Sequence, residues 1–273
     1  MKKIISYSLY GKKPLYTLGA IQNAKDAHIY YPGWITRFYC DQTVPQDVLH
    51  ELRIAGAEII QKKEIGDNRG MFWRFEALED PDVERVIVRD ADSRLSLREA
   101  KAVEEWVSSA LPGHIMRDHP WHGMVMLGGM WGCTTACLSD IKNAIERFNA
   151  IDQKNQDQLF LAKNIYPILI KKGCIIHDSF FHYESFSKDF PLPRCPDYSF
   201  VGEIIDENGN RNDDWKAIKK LETNLVNRIQ FIWQHKKRDS ALNRISFFII
   251  EAPGLKDLLS AKTEVVRYMY FAN

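Results

Sequence analysis

Two aspartates separated by one alanine follow an apolar segment at Arg85–Val88, and this spacing offers the clearest chemistry in the sequence. A strand predicted over that segment would carry Asp90 and Asp92 to its carboxyl end. Two carboxylates this close repel each other, and a hard divalent cation relieves the repulsion while leaving positions for phosphate oxygens. We therefore predict that Asp90 and Asp92 bind Mn²⁺ or Mg²⁺, with Arg89 and Arg94 providing positive charge for a diphosphate. An aspartate-rich turn without a metal is the alternative.

The elements that must position these side chains follow from hydrophobic periodicity. Short apolar segments alternate with helical patterns, which predicts an α/β domain with a Rossmann-type, mostly parallel sheet flanked by helices. Ligands of such sheets bind beyond the carboxyl ends of the strands. The predicted strands are Ile4–Leu9, Ile35–Cys40, Ala57–Gln61, Arg85–Val88, His114–Met116, Met124–Leu127 and Cys174–Ile176. The predicted helices are Leu15–His28, Pro45–Ala55, Met71–Leu78, Leu97–Ser109, Ser139–Phe148, Asp157–Ile170 and Trp215–His235.

Composition narrows the class of protein. The 273 residues include 37 Lys and Arg against 36 Asp and Glu, so a net charge of +1 argues against a protein that coats nucleic acid. Five irregularly spaced cysteines are typical of a reducing compartment. With no apolar run long enough to span a bilayer, we expect a cytoplasmic protein, or one peripheral to the inner face of the plasma membrane.

The composition and the hydrophobic pattern of the sequence change near residue 200. We predict an α/β domain over residues 1–200 and a helical extension over residues 201–273. Residues 211–246 carry nine Lys or Arg and four Asp or Glu, a net charge of +5. This segment is either a packed helix with a solvated basic face or a surface that docks an anionic acceptor or a membrane.

The string at residues 89–94, Arg-Asp-Ala-Asp-Ser-Arg, resembles the D-x-D signature of GT-A-type glycosyltransferases, which use nucleotide-sugar donors. The resemblance covers roughly residues 4–180. Over this range the sequence is distantly similar to family-8-like galactosyltransferases, and it also resembles a group of bacterial surface-polysaccharide glycosyltransferases. The matching segments are Tyr7–Gly11, Arg74 within Met71–Phe75, Met116–His122, Leu127–Gly132, Asp157-Gln158 and His177. The resemblance implies that residues 1–200 form a nucleotide-sugar-binding catalytic domain.

This resemblance implies a metal-dependent transfer of sugar from a nucleoside diphosphate sugar to a hydroxyl of a glycan or glycolipid, such as a bacterial capsule or lipopolysaccharide. It implies a metal site of Asp90, Asp92 and His177, with Asp178 and His182 as substitutes for His177. The donor-binding residues would be Tyr10, Gly11, Arg74, Arg89, Asp90, Arg94, Gly128 and Gly129.

Stereochemistry stays open at this point. In an inverting route, Asp118 or Asp157 would act as the general base, whereas in a retaining route Gln158 would stabilise the anomeric centre. Asp157 also has a simpler interpretation as a helix N-terminal residue that complements the dipole. Arg74 likewise has a simpler interpretation, as one half of a surface ion pair with Glu76 or Glu79.

The loop after the strand at His114–Met116 is expected to form the acceptor side of the pocket, or else a packed polar loop. Its aromatic and imidazole side chains could stack on sugars or bond their hydroxyls. The candidate acceptor residues are His119, Trp121, His122 and Trp131. A zinc site of two histidines with Cys133 and Cys137 is disfavoured by the spacing.

Two other functions remain open from the sequence. Nucleotidyl transfer to a sugar phosphate uses similar metal carboxylates, although the segment after the first strand is poor in glycine. A carbohydrate-binding domain that has the same fold but no catalysis would bind a donor without turning it over.

Overall fold

Seven strands form one sheet in the order β3-β2-β1-β4-β6-β5-β7 in the computed structural model, which describes residues 1–138, 140–148 and 155–223. All neighbouring strands are parallel except β6, which runs antiparallel to both β4 and β5. The strands are β1 Lys2–Leu9, β2 Ile35–Cys40, β3 Glu58–Gln61, β4 Val83–Val88, β5 Gly113–Arg117, β6 Trp131–Thr134 and β7 Cys174–Asp178. The predicted α/β class with a mostly parallel sheet is confirmed.

Helices cover both faces of this sheet. They are α1 Pro14–Tyr30, α2 Gln46–Ile54, α3 Leu97–Ser108, α4 Ile141–Phe148, α5 Gln156–Phe160, α6 Tyr166–Lys172 and α7 Trp215–Glu222. A 3₁₀ segment at Asn68–Glu79 lies before β4. Helices α1, α2 and α3 pack on one face around Phe38, Ile87 and Trp106. The 3₁₀ segment, α4, α5 and α6 pack on the other around Phe75 and Trp131.

The chain changes direction across the sheet at β1. From β1 it runs to β2 and β3 on one side, and β4 then pairs with the opposite edge of β1. The loops that leave the carboxyl ends of β1 and β4 therefore diverge and leave a crevice between them, the usual ligand site of such sheets. Tyr10 and Gly11 follow β1, and Asp90 and Asp92 follow β4, so both segments border this crevice.

Two predicted elements differ from the structure. Met124–Leu127 lies in a loop, and the strand that pairs with β4 and β5 begins instead at Trp131. Met126 is apolar because it fills the core beneath that loop, not because it belongs to a strand. The helix predicted over Asp157–Ile170 is interrupted by a π-helical turn at Leu161–Ile165, followed by α6 with a proline in its first turn.

The segment after residue 200 packs on the domain as far as it is described. Ile218 and Leu221 of α7 join Phe180, Phe181 and Phe200 in a separate apolar cluster. The boundary at residue 200 stays a prediction. The rest of the helix predicted to end at His235, and the basic segment beyond residue 223, lie outside the described residues. Among the described helices, none has the length and apolar character needed to cross a membrane.

Candidate active site

A buried arginine joins the carboxylates that border the crevice. Arg74 Nη1 donates to Asp90 Oδ1 and to the Arg89 carbonyl, the latter at 3.1 Å, and its Nη2 donates to Asp157 Oδ2 at 2.7 Å. The 3₁₀ segment positions Arg74, whose backbone is bonded to the Ser6 and Ser8 hydroxyls of β1. Although burial opposes it, the charges of Asp90 and Asp157 raise the pKa of Arg74.

The alternative for Arg74, a surface ion pair with Glu76 or Glu79, is therefore wrong. Glu76 pairs with Lys62 at 2.6 Å, and Glu79 accepts from the Lys142 backbone nitrogen. The guanidinium instead lies between side chains from β4 and α5, which are distant in sequence. The interpretation of Asp157 as a simple dipole partner is also incomplete, because its carboxylate binds Arg74.

The two consecutive glycines before β6 lie directly against these carboxylates. A Cβ on Gly128 would collide with Asp157 and approach Arg74 Nη2 within 2.6 Å. A Cβ on Gly129 would collide with the Asp90 carboxylate. Glycine is required here because only a bare backbone can approach so closely. The sequence-predicted residues Arg74, Asp90, Gly128, Gly129 and Asp157 are thus in one cluster.

Repulsion between the two aspartates after β4 is visible in their electrostatics. Burial, together with the charge of Asp90, raises the pKa of Asp92 to about 6. Burial also raises the pKa of Asp157, although Arg74 opposes the shift. Asp90 is the accessible member of the group, with 47% of its side chain exposed. The site therefore concentrates negative charge at a surface that solvent and ligands can reach.

The loop that carries the aspartates is held from two sides. Asn23 of α1 is buried, and its side chain donates to the Ser93 carbonyl at 2.8 Å and accepts from the Leu95 backbone nitrogen. From the other side, the Ile205 backbone nitrogen donates to the Asp92 carbonyl at 3.0 Å. Asn23 and Ile205 are contributors that sequence reasoning missed. The asparagine in the middle of a helix was the available signal, since such residues are unfavourable there without a partner.

Tyr10 borders the same crevice on the β1 side. Its ring packs edge-on against Trp73 at 5.7 Å, and Gly70 lies close against it. Burial raises the pKa of Tyr10 to about 12, and Arg74 is near enough to oppose the shift. The backbone nitrogen of Gly11 donates to the Thr43 hydroxyl, and the positive φ of +74° explains the glycine. This arrangement offers a flat aromatic wall beside the carboxylates.

The carboxylates of this cluster suit a divalent cation that takes only one or two of its ligands from the protein. Within the described residues, no group of three His, Cys, Asp or Glu side chains is arranged to hold a metal. Magnesium-type sites commonly use one or two carboxylates and take the remaining ligands from waters and substrate phosphates. The cluster sets three carboxyl groups, those of Asp90, Asp92 and Asp157, against the single guanidinium of Arg74, so acidic groups are in excess. Asp90 and Asp92 therefore fit a cation that arrives with a diphosphate.

His177 does not complete that site, so the predicted third metal ligand is wrong. The His177 ring is buried on β7, with Nδ1 2.9 Å from His114 Nε2 and Nε2 3.1 Å from Glu105 Oε2. Three strand spacings separate β7 from β4 in the sheet, or roughly 14 Å. The substitutes fail too: Asp178 is buried at the end of β7 in an ion pair with Arg117, and His182 lies beside Asp178, to which its backbone nitrogen donates at 2.8 Å.

Arg89 is also misassigned as a donor-binding residue. Only 2% of it is exposed, and it lies on the face covered by α3, where Nε donates to Glu99 at 3.2 Å. Alternation along the strand turns Arg89 away from its neighbour Asp90. Arg94 is half-buried and bonds backbone carbonyls of Ala91, Ser93 and Ile205. Its role toward a diphosphate stays a prediction.

Asp118 is a structural carboxylate and cannot act as a base. It is fully buried and accepts from Arg98, Arg194, the Ser179 hydroxyl and the Val201 backbone nitrogen. Burial would raise its pKa, but the bonds and charges of the two arginines lower it. Such a carboxylate is already saturated and binds protons weakly. The sequence carried no sign of Arg98 and Arg194, because they lie 20 and 76 residues from Asp118.

The candidate acceptor residues divide between packing and exposure. His119 is buried, and Nε2 lies 3.0 Å from the Asp214 carbonyl. His122 is partly buried and bonds the Asp118 backbone nitrogen through Nδ1. Trp131 is completely buried in the core and cannot stack on a sugar. Trp121 is 67% exposed and keeps its predicted role open. For these histidines, the packed polar loop was the better interpretation.

The zinc alternative is excluded for the described residues, because Cys133 lies on β6 inside the core and forms no metal-binding group with the histidines. Gln158 adjoins the cluster through its backbone nitrogen, which donates to Asp157 Oδ1 at 2.8 Å. Its role at an anomeric centre stays a prediction.

Several solved structures are similar to this chain. A glycosyltransferase involved in the glycosylation of the major capsid of PBCV-1 aligns over 66% of this chain and 83% of its own, at 14% identity and a TM-score of 0.43. S. aureus TarS 1-349 in complex with UDP aligns over 98% and 80%, at 12% identity and a TM-score of 0.48. A 4-diphosphocytidyl-2C-methyl-D-erythritol synthase from Anaerococcus prevotii aligns over 70% and 93%, at 10% identity and a TM-score of 0.42. No family model matches the sequence, and no curated protein is significantly similar to it.

Proposed function

We propose that the chain is a GT-A-type glycosyltransferase that moves a sugar from a nucleoside diphosphate sugar to a hydroxyl of a glycan or glycolipid. One observation carries the proposal. At the carboxyl ends of β1 and β4, the aspartate pair Asp90 and Asp92 shares a crevice with Arg74, Asp157 and a glycine pair packed on the carboxylates. That combination offers cation binding, a positive group and a second carboxylate within one site.

The residues divide the chemistry of such a transfer. A divalent cation held by Asp90 and Asp92 would neutralise charge that develops on the leaving diphosphate. Arg74 would position donor and carboxylates through its fixed guanidinium. Gly128 and Gly129 would let the sugar approach the backbone closely.

Asp157 is the remaining candidate base, since Asp118 is saturated by arginines. Burial raises the pKa of Asp157, which strengthens a carboxylate as a proton acceptor. In an inverting route Asp157 would take the acceptor proton, and in a retaining route Gln158 would support the anomeric centre. Both routes use the same cluster, and the anomeric configuration of the product would distinguish them.

On the acceptor side, the exposed Trp121 and the segment after residue 200 support binding of a glycan. Trp121 offers an open aromatic face. Ile205 lies beside Asp92 through a backbone hydrogen bond, so this segment borders the donor site. We propose a bacterial surface glycan as the acceptor class and the inner face of the plasma membrane as the place of action.

The decisive experiment is a thermal-shift screen of the full chain with nucleoside diphosphate sugars, with and without Mn²⁺. We expect stabilisation that requires both the cation and the diphosphate, followed by release of the nucleoside diphosphate on incubation. Release of pyrophosphate from a nucleoside triphosphate and a sugar phosphate would instead identify a nucleotidyltransferase. Binding without turnover would identify a carbohydrate-binding domain, and no response to any donor would contradict all three.

A further inference from the structure

We propose that the Arg74 guanidinium is the resident counter-ion of Asp90, and that a divalent cation must displace it from this carboxylate in order to bind. Metal loading would transfer Asp90 from Arg74 to the cation, while Asp157 keeps its hold on Arg74. This inference rests on the proposed function, since it concerns how the same site takes up its cation.

Asp90 already has a positive partner before any cation arrives. Oδ1 accepts from Arg74 Nη1, and Oδ2 lies beside Gly129, where the Cβ of any other residue would collide with it. A cation that takes Oδ1 must therefore compete with a guanidinium already bonded there. The competition is between two positive groups for one carboxylate, so each weakens the binding of the other.

The two ion pairs of Arg74 differ in how easily they open. The Asp157 side chain is only 7% exposed, whereas 47% of the Asp90 side chain is exposed. Separating Arg74 from Asp157 would leave a buried charge without a partner, which is strongly destabilising. Separating it from Asp90 exposes a carboxylate to solvent or to a cation and costs little. The exchange is therefore expected at Asp90.

The backbone of Arg74 is held in place by β1, so the cation exchange would not carry this residue out of the crevice. The Ser6 hydroxyl donates to the Arg74 carbonyl at 2.6 Å, and the Arg74 backbone nitrogen donates to the Ser8 hydroxyl at 3.0 Å. These bonds hold its backbone to β1. Within the described residues, Arg74 Nε has no hydrogen-bond partner, so Nη1 and Nη2 make all of its side-chain bonds. An arginine released from Asp90 would stay in the crevice, because Nη1 still donates to the Arg89 carbonyl and Nη2 to Asp157, and the freed N–H of Nη1 could donate to a donor phosphate.

The other arginines near the loop cannot substitute for this role. Arg89 is committed to Glu99 on the opposite face, and Arg94 bonds backbone carbonyls. In the part of the chain that the structure describes, Arg74 is the cationic group that is hydrogen-bonded to the site carboxylates. The charge of Arg94 also acts on Asp92, but without a hydrogen bond, so the affinity of the free protein for metal should depend mainly on Arg74 among these arginines.

The test measures Mn²⁺ binding to the full chain, without donor, from the electron paramagnetic resonance signal of free Mn²⁺. Wild type is compared with Arg74→Met and Arg74→Lys. We expect Arg74→Met to bind Mn²⁺ at least about tenfold more tightly, because removing one neighbouring positive charge changes ionic equilibria by that much or more. Arg74→Lys keeps the charge and should stay near wild type. An Arg74→Met variant that binds Mn²⁺ no more tightly would overturn the exchange.

A second pair protects the test against misfolding, because Arg74→Met leaves the buried Asp157 unpaired. The double variant Arg74→Met/Asp157→Asn is compared with Asp157→Asn, and again the variant without arginine should bind Mn²⁺ about tenfold more tightly. Equal affinities in this pair would overturn the exchange. Mn²⁺ binding by wild type in the presence of UDP separates the two proposals. If it occurs while the variants show no gain, only the exchange fails. If it does not occur, the cation site of the proposed function fails as well.

Discussion

Gly129 lies so close to Asp90 that a single methyl group on the glycine would collide with the carboxylate. This contact joins the turn before β6 to the loop after β4 at the centre of the candidate site. It also means that the shape of the crevice depends on a missing side chain.

The first prediction concerns this contact. Gly129→Ala should push the Asp90 carboxylate from its position and weaken Mn²⁺-dependent binding of UDP by about tenfold or more, on the order of 1.4 kcal/mol. Isothermal titration calorimetry measures the affinity. Gly33→Ala is the matched control: it has open space around it but a φ of +82°, so it should cost stability and leave binding unchanged. Undiminished binding by Gly129→Ala would contradict the site geometry.

The second prediction separates stability from binding at Asp92. Burial and the charge of Asp90 raise the pKa of Asp92 to about 6, so its ionised form opposes folding at neutral pH. Asp92→Asn should therefore stabilise the protein by roughly 1 kcal/mol, raising Tm by about 2–4 °C. The same change should reduce Mn²⁺-dependent UDP binding at least about tenfold. The exposed Asp82→Asn should alter neither, and a stable variant with normal binding would remove Asp92 from the cation site.

The third prediction treats Asp118 as a structural residue. Asp118→Asn removes a fully buried carboxylate from Arg98 and Arg194 and leaves Arg194 with its second partner, Glu222, so it should cost about 3–5 kcal/mol in the free energy of unfolding. Urea denaturation measures the loss, with the 82% exposed Asp189→Asn as the control. If Asp118→Asn folds with wild-type stability and loses only activity, Asp118 is a catalytic residue after all.

The fourth prediction is a pH dependence that originates at His177. Burial, with a smaller contribution from Arg98, lowers the pKa of His177 to about 4 from an ordinary value of 6.5. Folding therefore favours the neutral ring, and the stabilisation present above pH 6.5 is lost as the pH falls towards 4. The groups that contact the ring are His114 and Glu105, and Lys188 bonds Glu105.

Between pH 7 and pH 5 this loss amounts to about 2 kcal/mol for His177 alone. His177→Gln should show a correspondingly smaller loss of unfolding free energy over that range, measured by urea denaturation at each pH. The exposed His50→Gln serves as the control and should keep the wild-type dependence. An identical slope in His177→Gln and wild type would show that this histidine does not titrate on unfolding.

Periodicity was sufficient for most of the fold and for the position of the aspartate pair. Strand β2 has the predicted bounds, and α3 buries Trp106 as its apolar face indicated. The prediction of a strand at Met124–Leu127 was wrong, because an apolar loop that packs in the core has the same composition as a short buried strand. Loop composition alone does not distinguish the two.

The site was harder to predict, because whether a residue belongs to it depends on the face of the sheet to which its side chain points and on the partner that it contacts. Arg89 and Asp90 are adjacent in sequence but point to opposite faces of the sheet. The resemblance implied that His177 binds the metal with the aspartates, although three strand spacings separate β7 from β4. Asp118 looked reactive because nothing in the sequence indicated the arginines that saturate it. Long-range pairing of this kind is not encoded in local spacing.

The hydrogen bond from Ile205 to Asp92 bears on how this protein could be re-engineered. The bridge between Ser93 and Ile204 reinforces it, so the two segments share one small piece of sheet-like structure. A chimera joined at residue 200 would replace the Ile204 strand of that piece and keep the Ser93 strand. It would therefore weaken donor binding although it was made to change the acceptor. Libraries that seek new acceptors should therefore retain residues 203–206 and graft only the chain that follows.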